Sequence, residues 1–204
     1  MAESRPGLSK SRKIGGDGEP EIFCADEQSD VTIDLPRWQA LALAVLLAQG
    51  VRGAAEMTIV FVDEQSIREL NQQYMGQDRP TDVLAFPIDA FDATQTPGPG
   101  ALTKSPDRDP PDIAELPLLL GDVVICPSVA QAQCATHAGT IDDEVALLVV
   151  HGMLHILGLD HDTEEATTKM RGCELALLEA HHWRGPAPAV FRQDHPADDL
   201  GEQI

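Results

Sequence analysis

The chain has 204 residues, 43% of them apolar and 24% charged, with a formal net charge of −20. That length supports one domain with a substantial core plus appendages, and the composition is that of a soluble globular protein. The acidity repels polyanions and argues against strong nonspecific nucleic-acid binding, which needs clustered Lys and Arg, and no run of about 18 apolar residues exists to span a membrane. Residues 1–19 mix Ser, Gly, Lys, Arg and Pro without periodicity, so they predict a disordered extension. They lack the apolar core of a secretory signal, which leaves a cytoplasmic location as the default. A short strand is expected at 21–25. Asp34 then caps a helix with Pro36 in its first turn, running to Gln49 and stopped by Gly50. The β-branched run at 57–62 (MTIVFV) is a buried strand. Asp63 caps the next helix, whose apolar face is expected from Ile67, Leu70 and Tyr74 or Met75, with Asp78, Arg79 and Pro80 as its breaker.

A second strand is predicted at 81–86, halted by Pro87. Residues 89–117, rich in Pro, Asp, Gly and Thr, read as a long irregular loop. A third strand follows at 118–126, then a helix opened by Pro127 or Ser128 and closed by Gly139. Thr140 and Asp143 make a capping-box-like start to a helix that is apolar on almost every side, and therefore central. Thr163 opens a last amphipathic helix, and residues 186–204 read as an acidic disordered tail. The elements together predict one α+β domain over 20–185.

The stretch HGMLHILGLDH, from His151 to His161, concentrates the chemistry. Two histidines four apart on a helix share one face and can grip one ion. Gly158 can adopt the left-handed conformation that ends a helix, letting His161 return as a third ligand. Three protein ligands and an open position are the layout of a catalytic zinc site, not a structural one. The spacing nearly meets the metzincin protease signature HExxHxxGxxH, but Gly152 stands where those enzymes carry their general base. A zinc peptidase is therefore the weaker reading. His137, His181, His182 and His195 lack ligand spacing, and Trp38 and Trp183 read as packing residues. Cys24, Cys126, Cys134 and Cys173 are scattered and read as reduced, packed thiols.

Three blocks in order make the chain resemble the YbeY family of metal-dependent endoribonucleases: LNQQYMGQDRPTDVLAFP (70–87), LLGDVVIC (119–126), and HGMLHILGLDH followed by Met170 and Glu174. The resemblance implies a small mixed β-sheet flanked by helices, with one zinc held by His151, His155 and His161 on and after the central apolar helix. It implies cleavage of single-stranded RNA in small-subunit ribosomal RNA maturation and ribosome quality control. The implied partners are ribosomal RNA, the small subunit and ribosome-associated proteins, with neither DNA nor membrane among them. The chain departs from the family pattern at Met75, where many members carry an Arg, and at Ala85, where they carry Ser. Met offers no donor to phosphate, while Arg79, four residues on, could serve instead. Asp160, Asp82 and Asp122 are candidate acceptors for the second nitrogen of a ligating imidazole. Each has a second reading: Asp160 as a turn or cap residue, Asp122 as a bulge residue, and Thr81 and Asp82 as a strand start rather than the cleft lining for substrate. Attack on RNA can come from hydroxide made available by zinc or from the RNA's own 2′-hydroxyl, and both routes stand at this point. A non-catalytic ribosome-assembly factor, with zinc serving the fold, is the competing class.

Overall fold

A computed structural model describes residues 18–88 and 117–193. The expected N-terminal extension up to 17, the loop over 89–116 and the tail from 194 onward lie outside the described residues. The elements are β1 (Glu21–Asp26), α1 (Leu35–Ala48), β2 (Ala55–Phe61), α2 (Glu64–Met75), β3 (Val83–Pro87), β4 (Leu118–Ile125), α3 (Pro127–Gln133), α4 (Ile141–Ile156) and α5 (Glu164–Leu177). Helix α5 runs on into one π-helical turn, Leu178–His182. The four helix caps expected at Asp34, Asp63, Thr140 and Thr163 all form, each side chain accepting a backbone N–H of the first turn at 2.8–3.3 Å. Each such cap contributes about 1 kcal/mol.

The strands form one mixed sheet in the order β1-β2-β4-β3. The β1–β2 and β2–β4 pairs are parallel, and β3 runs antiparallel on the edge beside β4. Pro87 sits in that edge strand, where the missing N–H costs little. Strand β2 alternates strictly, with Ala55, Met57, Ile59 and Phe61 buried in the main core against α1 and α4. The opposite face carries a smaller core of Val62, Ile67, Leu84, Val124 and Cys126 under α2.

Helix α4 is the centre of the molecule. Thirteen of its sixteen residues are buried, from Asp143 to Ile156. Each fully buried Leu, Val or Met side chain contributes roughly 1.5–3 kcal/mol over leaving it in water, so the helix position is strongly determined. The expected α+β fold with a small mixed sheet and a central apolar helix is therefore what the chain forms.

Three local expectations need correction. Helix α2 buries Ile67 and Asn71, while Tyr74 and Met75 are exposed; it ends at Gly76, before Asp78-Arg79-Pro80. The side chain of Asn71 donates to the carbonyl of Arg79 at 2.8 Å, so a polar residue holds the turn that an apolar pattern cannot reveal. At Thr140 the cap is real but not a capping box. The Asp143 carboxylate accepts the Thr140 hydroxyl at 2.7 Å and also receives Trp183 Nε1 and His182 Nε2, tying α4 to the end of α5. His182 is thus engaged in packing and not left at a free helix end. Finally, residues 186–193 do not follow the composition of a tail. Phe191 is buried in the main core against Trp183, because this short apolar stretch covers surface that α5 leaves open.

Candidate metal centre and cleft

The last two turns of α4 carry His151 and His155 on one face. Helix α4 stops at Ile156, and Gly158, at φ +83°, takes the left-handed turn that returns the chain toward the sheet. His161 follows on that return. The three histidines each offer a nitrogen, and those nitrogens lie within 4.8 Å of one another. His151 Nε2 and His155 Nε2 approach to 3.1 Å. Nitrogens about 2.0–2.1 Å from one tetrahedral ion stand about 3.3 Å apart, so the cluster fits a single divalent cation with little adjustment. Among the described residues this is the one group of three or more His, Cys, Asp or Glu side chains placed to share an ion. With three protein ligands, a bound ion would keep a position open for water or substrate.

The tautomer of His151 is set from behind. Its Nδ1 lies 2.8 Å from Oε1 of Glu174, a carboxylate that is 3% exposed on α5. The ring therefore donates from Nδ1 and turns the lone pair of Nε2 toward the other two histidines. Burial, with the neighbouring His151 and His161, pushes the His155 imidazole down to about 4. At neutral pH it is uncharged and its lone pair is available to a metal.

Glu174, which the sequence reading did not nominate as an acceptor, holds the outer nitrogen of His151. Its signal in the sequence is position: Met170, Glu174 and Leu177 share the buried stripe of α5, and a carboxylate on such a stripe needs a partner inside. Asp160 is exposed, and its Oδ1 accepts the backbone N–H of His161 at 2.8 Å, which is the turn geometry of its second reading. It still adds negative potential at His155. Asp122 lies next to Val123, whose side chain faces α4, so strand alternation sends Asp122 to the other face of the sheet, away from the histidines. The register slip that the sequence suggested near Asp122 falls between Leu119 and Gly121, opposite Glu56 and Met57. Gly121 (φ +142°) is obligatory there: a Cβ would stand 2.3 Å from the Phe86 carbonyl oxygen.

The histidines open into a cleft of about 650 Å³. Its walls include Arg79, Thr81 and Asp82, as the first block of the sequence suggested, together with Met75, Gln133 and Asp160. Asp82 also satisfies local backbone, since its Oδ1 accepts the Val83 N–H at 2.9 Å as well as the Thr81 hydroxyl at 3.2 Å. Both residues thus stand in the cleft wall immediately before β3 begins at Val83. Gln133 is the member the sequence did not reveal. Its amide nitrogen donates to Asp82 Oδ2 and to Glu144 Oε1, joining a buried carboxylate of the cleft wall to one on the buried first turn of α4. Among the described residues lining the cleft, Arg79 is the one Lys or Arg, and its Nε donates to Gln77 Oε1 at 2.9 Å.

Gly152 has a packing cause. A Cβ at this position would stand 2.6 Å from Val123 Cγ1 and 3.4 Å from Val83 Cγ2. Helix α4 presses so closely on β4 that the position where a metzincin holds its glutamate has no space for any side chain. The arrangement can hold a Lewis-acidic cation beside an open cleft, and it has no carboxylate at the protease position.

Comparison with known proteins gives a consistent result. The sequence profile of the family described as Endoribonuclease YbeY matches residues 23–182. The chain is 42% identical over 158 residues to the Endoribonuclease YbeY of Acidothermus cellulolyticus, covering 77% of this chain and 88% of that protein. It is 38% identical over 157 residues to the protein of the same name from Salinispora tropica, covering 77% and 92%. Against that of Frankia casuarinae it is 38% identical over 165 residues, covering 80% and 75%.

Proposed function

The chain belongs to the YbeY endoribonuclease family, hydrolytic nucleases that act on RNA, and from that premise we propose that it is a zinc-dependent endoribonuclease specific for single strands. Its proposed substrate is ribosomal RNA of the small subunit, in maturation and in ribosome quality control, with ribosome-associated proteins as partners. The observation that carries the reading is the convergence of His151, His155 and His161 at one end of an open cleft, with His151 oriented by Glu174.

A zinc ion held by His151, His155 and His161 would supply Lewis acidity toward a phosphoryl oxygen or the attacking oxygen. The chain's own residues do the rest. Glu174 holds the His151 ring in one tautomer and orientation. His155 stays neutral through its burial. Arg79 stands in the cleft wall as the donor for a phosphate, the role for which a guanidinium fork is suited. The packing of Val123 against Gly152 disfavours a peptidase, since the general base that such an enzyme needs cannot be built there.

The direct test is cleavage of a small-subunit ribosomal RNA precursor, with a fully paired RNA of equal length as the contrast. Wild-type protein is expected to cut the unpaired regions, and His155→Ala prepared in parallel to cut neither RNA. Equal cleavage by both proteins would sink the assignment of the site.

A further inference from the structure

We propose that residues 186–193 are a built-in part of the metal centre, with Gln193 acting as a positioning residue for Glu174 and, through it, for His151. This rests on the reading of the three histidines as a metal site. The stretch lies beyond residue 182, where the family profile ends, and its composition resembles that of a loose tail.

The segment is fastened at successive points. The Ala187 N–H donates to Glu179 Oε1 at 3.2 Å, and the Arg192 N–H donates to the His137 carbonyl at 2.9 Å. Phe191 is buried and meets the Trp183 ring edge-on, with centroids 4.7 Å apart. These contacts deliver Gln193 to the back of the histidine cluster. Its Nε2 donates to the Arg171 carbonyl at 2.8 Å and to Glu174 Oε2 at 3.1 Å.

Glu174 is thereby gripped at both oxygens, by Gln193 on Oε2 and by His151 Nδ1 on Oε1. A buried carboxylate with both oxygens bonded has one orientation; one released on a side can rotate about its last bond. Gln193 also lines a void of about 10 Å³ with His151, His161 and Met170, so its side chain closes the wall directly behind two of the ligands. Removing its amide leaves a buried acceptor without that donor, a costly arrangement that reshapes the neighbourhood of His151. Partners one bond removed from a metal ligand typically change affinity by about 10–100-fold. Gln193 is one bond further out, so a smaller effect of about threefold to tenfold is expected.

The experiment compares full-length wild type, Gln193→Leu, Phe191→Ala and His155→Ala by competitive chelator titration of Zn²⁺, the visible absorption of the Co²⁺-loaded proteins, and the melting temperature without metal. Leu keeps the bulk of Gln193 and deletes its donors. Gln193→Leu is expected to weaken Zn²⁺ binding about threefold to tenfold and alter the Co²⁺ spectrum, with a metal-free melting temperature close to wild type. Phe191→Ala loosens the segment that delivers Gln193 and is expected to weaken Zn²⁺ binding in the same direction, with a lowered melting temperature as well. Wild-type Zn²⁺ affinity and an unchanged Co²⁺ spectrum in Gln193→Leu would overturn the proposal. So would a Gln193→Leu protein whose metal-free melting temperature falls as far as that of Phe191→Ala, since the loss would then be one of folding. If instead wild type bound no metal, or His155→Ala bound it equally well, the metal-centre reading itself would fall, a result separable from the first two.

Discussion

Gly152 shows how one residue can decide between two chemistries. Its missing side chain is filled by Val123, so even a methyl group must displace a fully buried neighbour. Gly152→Ala is expected to lower stability by about 1–3 kcal/mol, the usual cost of overpacking a core, and thermal denaturation of the metal-free protein measures it. An unchanged melting temperature would show that α4 and β4 stand further apart than described. Met75 and Arg79 pose the complementary question of substrate grip. Met75 is 49% exposed on the cleft wall and offers nothing to a phosphate, which leaves Arg79 as the guanidinium there. Arg79→Ala is therefore expected to raise the KM for RNA several-fold with little change in kcat, and Met75→Arg to lower it. Steady-state kinetics on a short single-stranded RNA separates the two parameters, and an Arg79→Ala enzyme with wild-type KM would remove Arg79 from substrate binding.

At the scale of elements, α4 is held at both ends. Its C-terminal end carries the ligands, and its N-terminal end is tied to the end of α5 through Asp143. Burial alone would raise the Asp143 carboxyl, but hydrogen bonds from Trp183, Thr140 and His182 outweigh it and hold it below the usual carboxylate range. A carboxyl depressed in the fold contributes stability above its unfolded value, near 3.8, and loses it as the pH falls through the lower folded value. Asp143→Asn should thus be less stable at pH 7, and its stability should fall less steeply than wild type below about pH 4. Acid titrations of unfolding free energy on both proteins check this; parallel curves would contradict it. These elements were legible in the sequence to an uneven degree. Caps, strand runs and the triple-histidine spacing are local signals, and Asp34, Asp63, Thr140, Thr163 and the three histidines stand where their neighbours imply. Glu174, Gln133 and Gln193 act across 23, 51 and 19 positions of chain. Glu174 is marked by its place on the apolar stripe of α5 but not by its partner, and nothing next to Gln133 or Gln193 in sequence reveals theirs, which only the packing of α3, α5 and the last residues brings near. Asp122 misled for the opposite reason: its type suits a metal site, while strand alternation turns it away.

Across the whole molecule, a chain of net charge −20 that acts on a polyanion must obtain its attraction locally. Among the described residues the cleft supplies it from Arg79 and from whatever cation the histidines hold, and a bound divalent ion would offset about two charges at that point. A metal held there would serve both chemistry and part of the grip, with the sheet, α4 and α5 fixing the three imidazoles that receive it. The most direct measurement is add-back to protein stripped with a chelator, following cleavage of a single-stranded RNA as Zn²⁺ is titrated in. Activity should be absent at the start, rise in proportion to added Zn²⁺ and level off at one equivalent per chain, with His155→Ala inactive throughout. Full cleavage by the stripped protein, or a rise unaffected by His155→Ala, would contradict the histidine-bound metal as the source of activity.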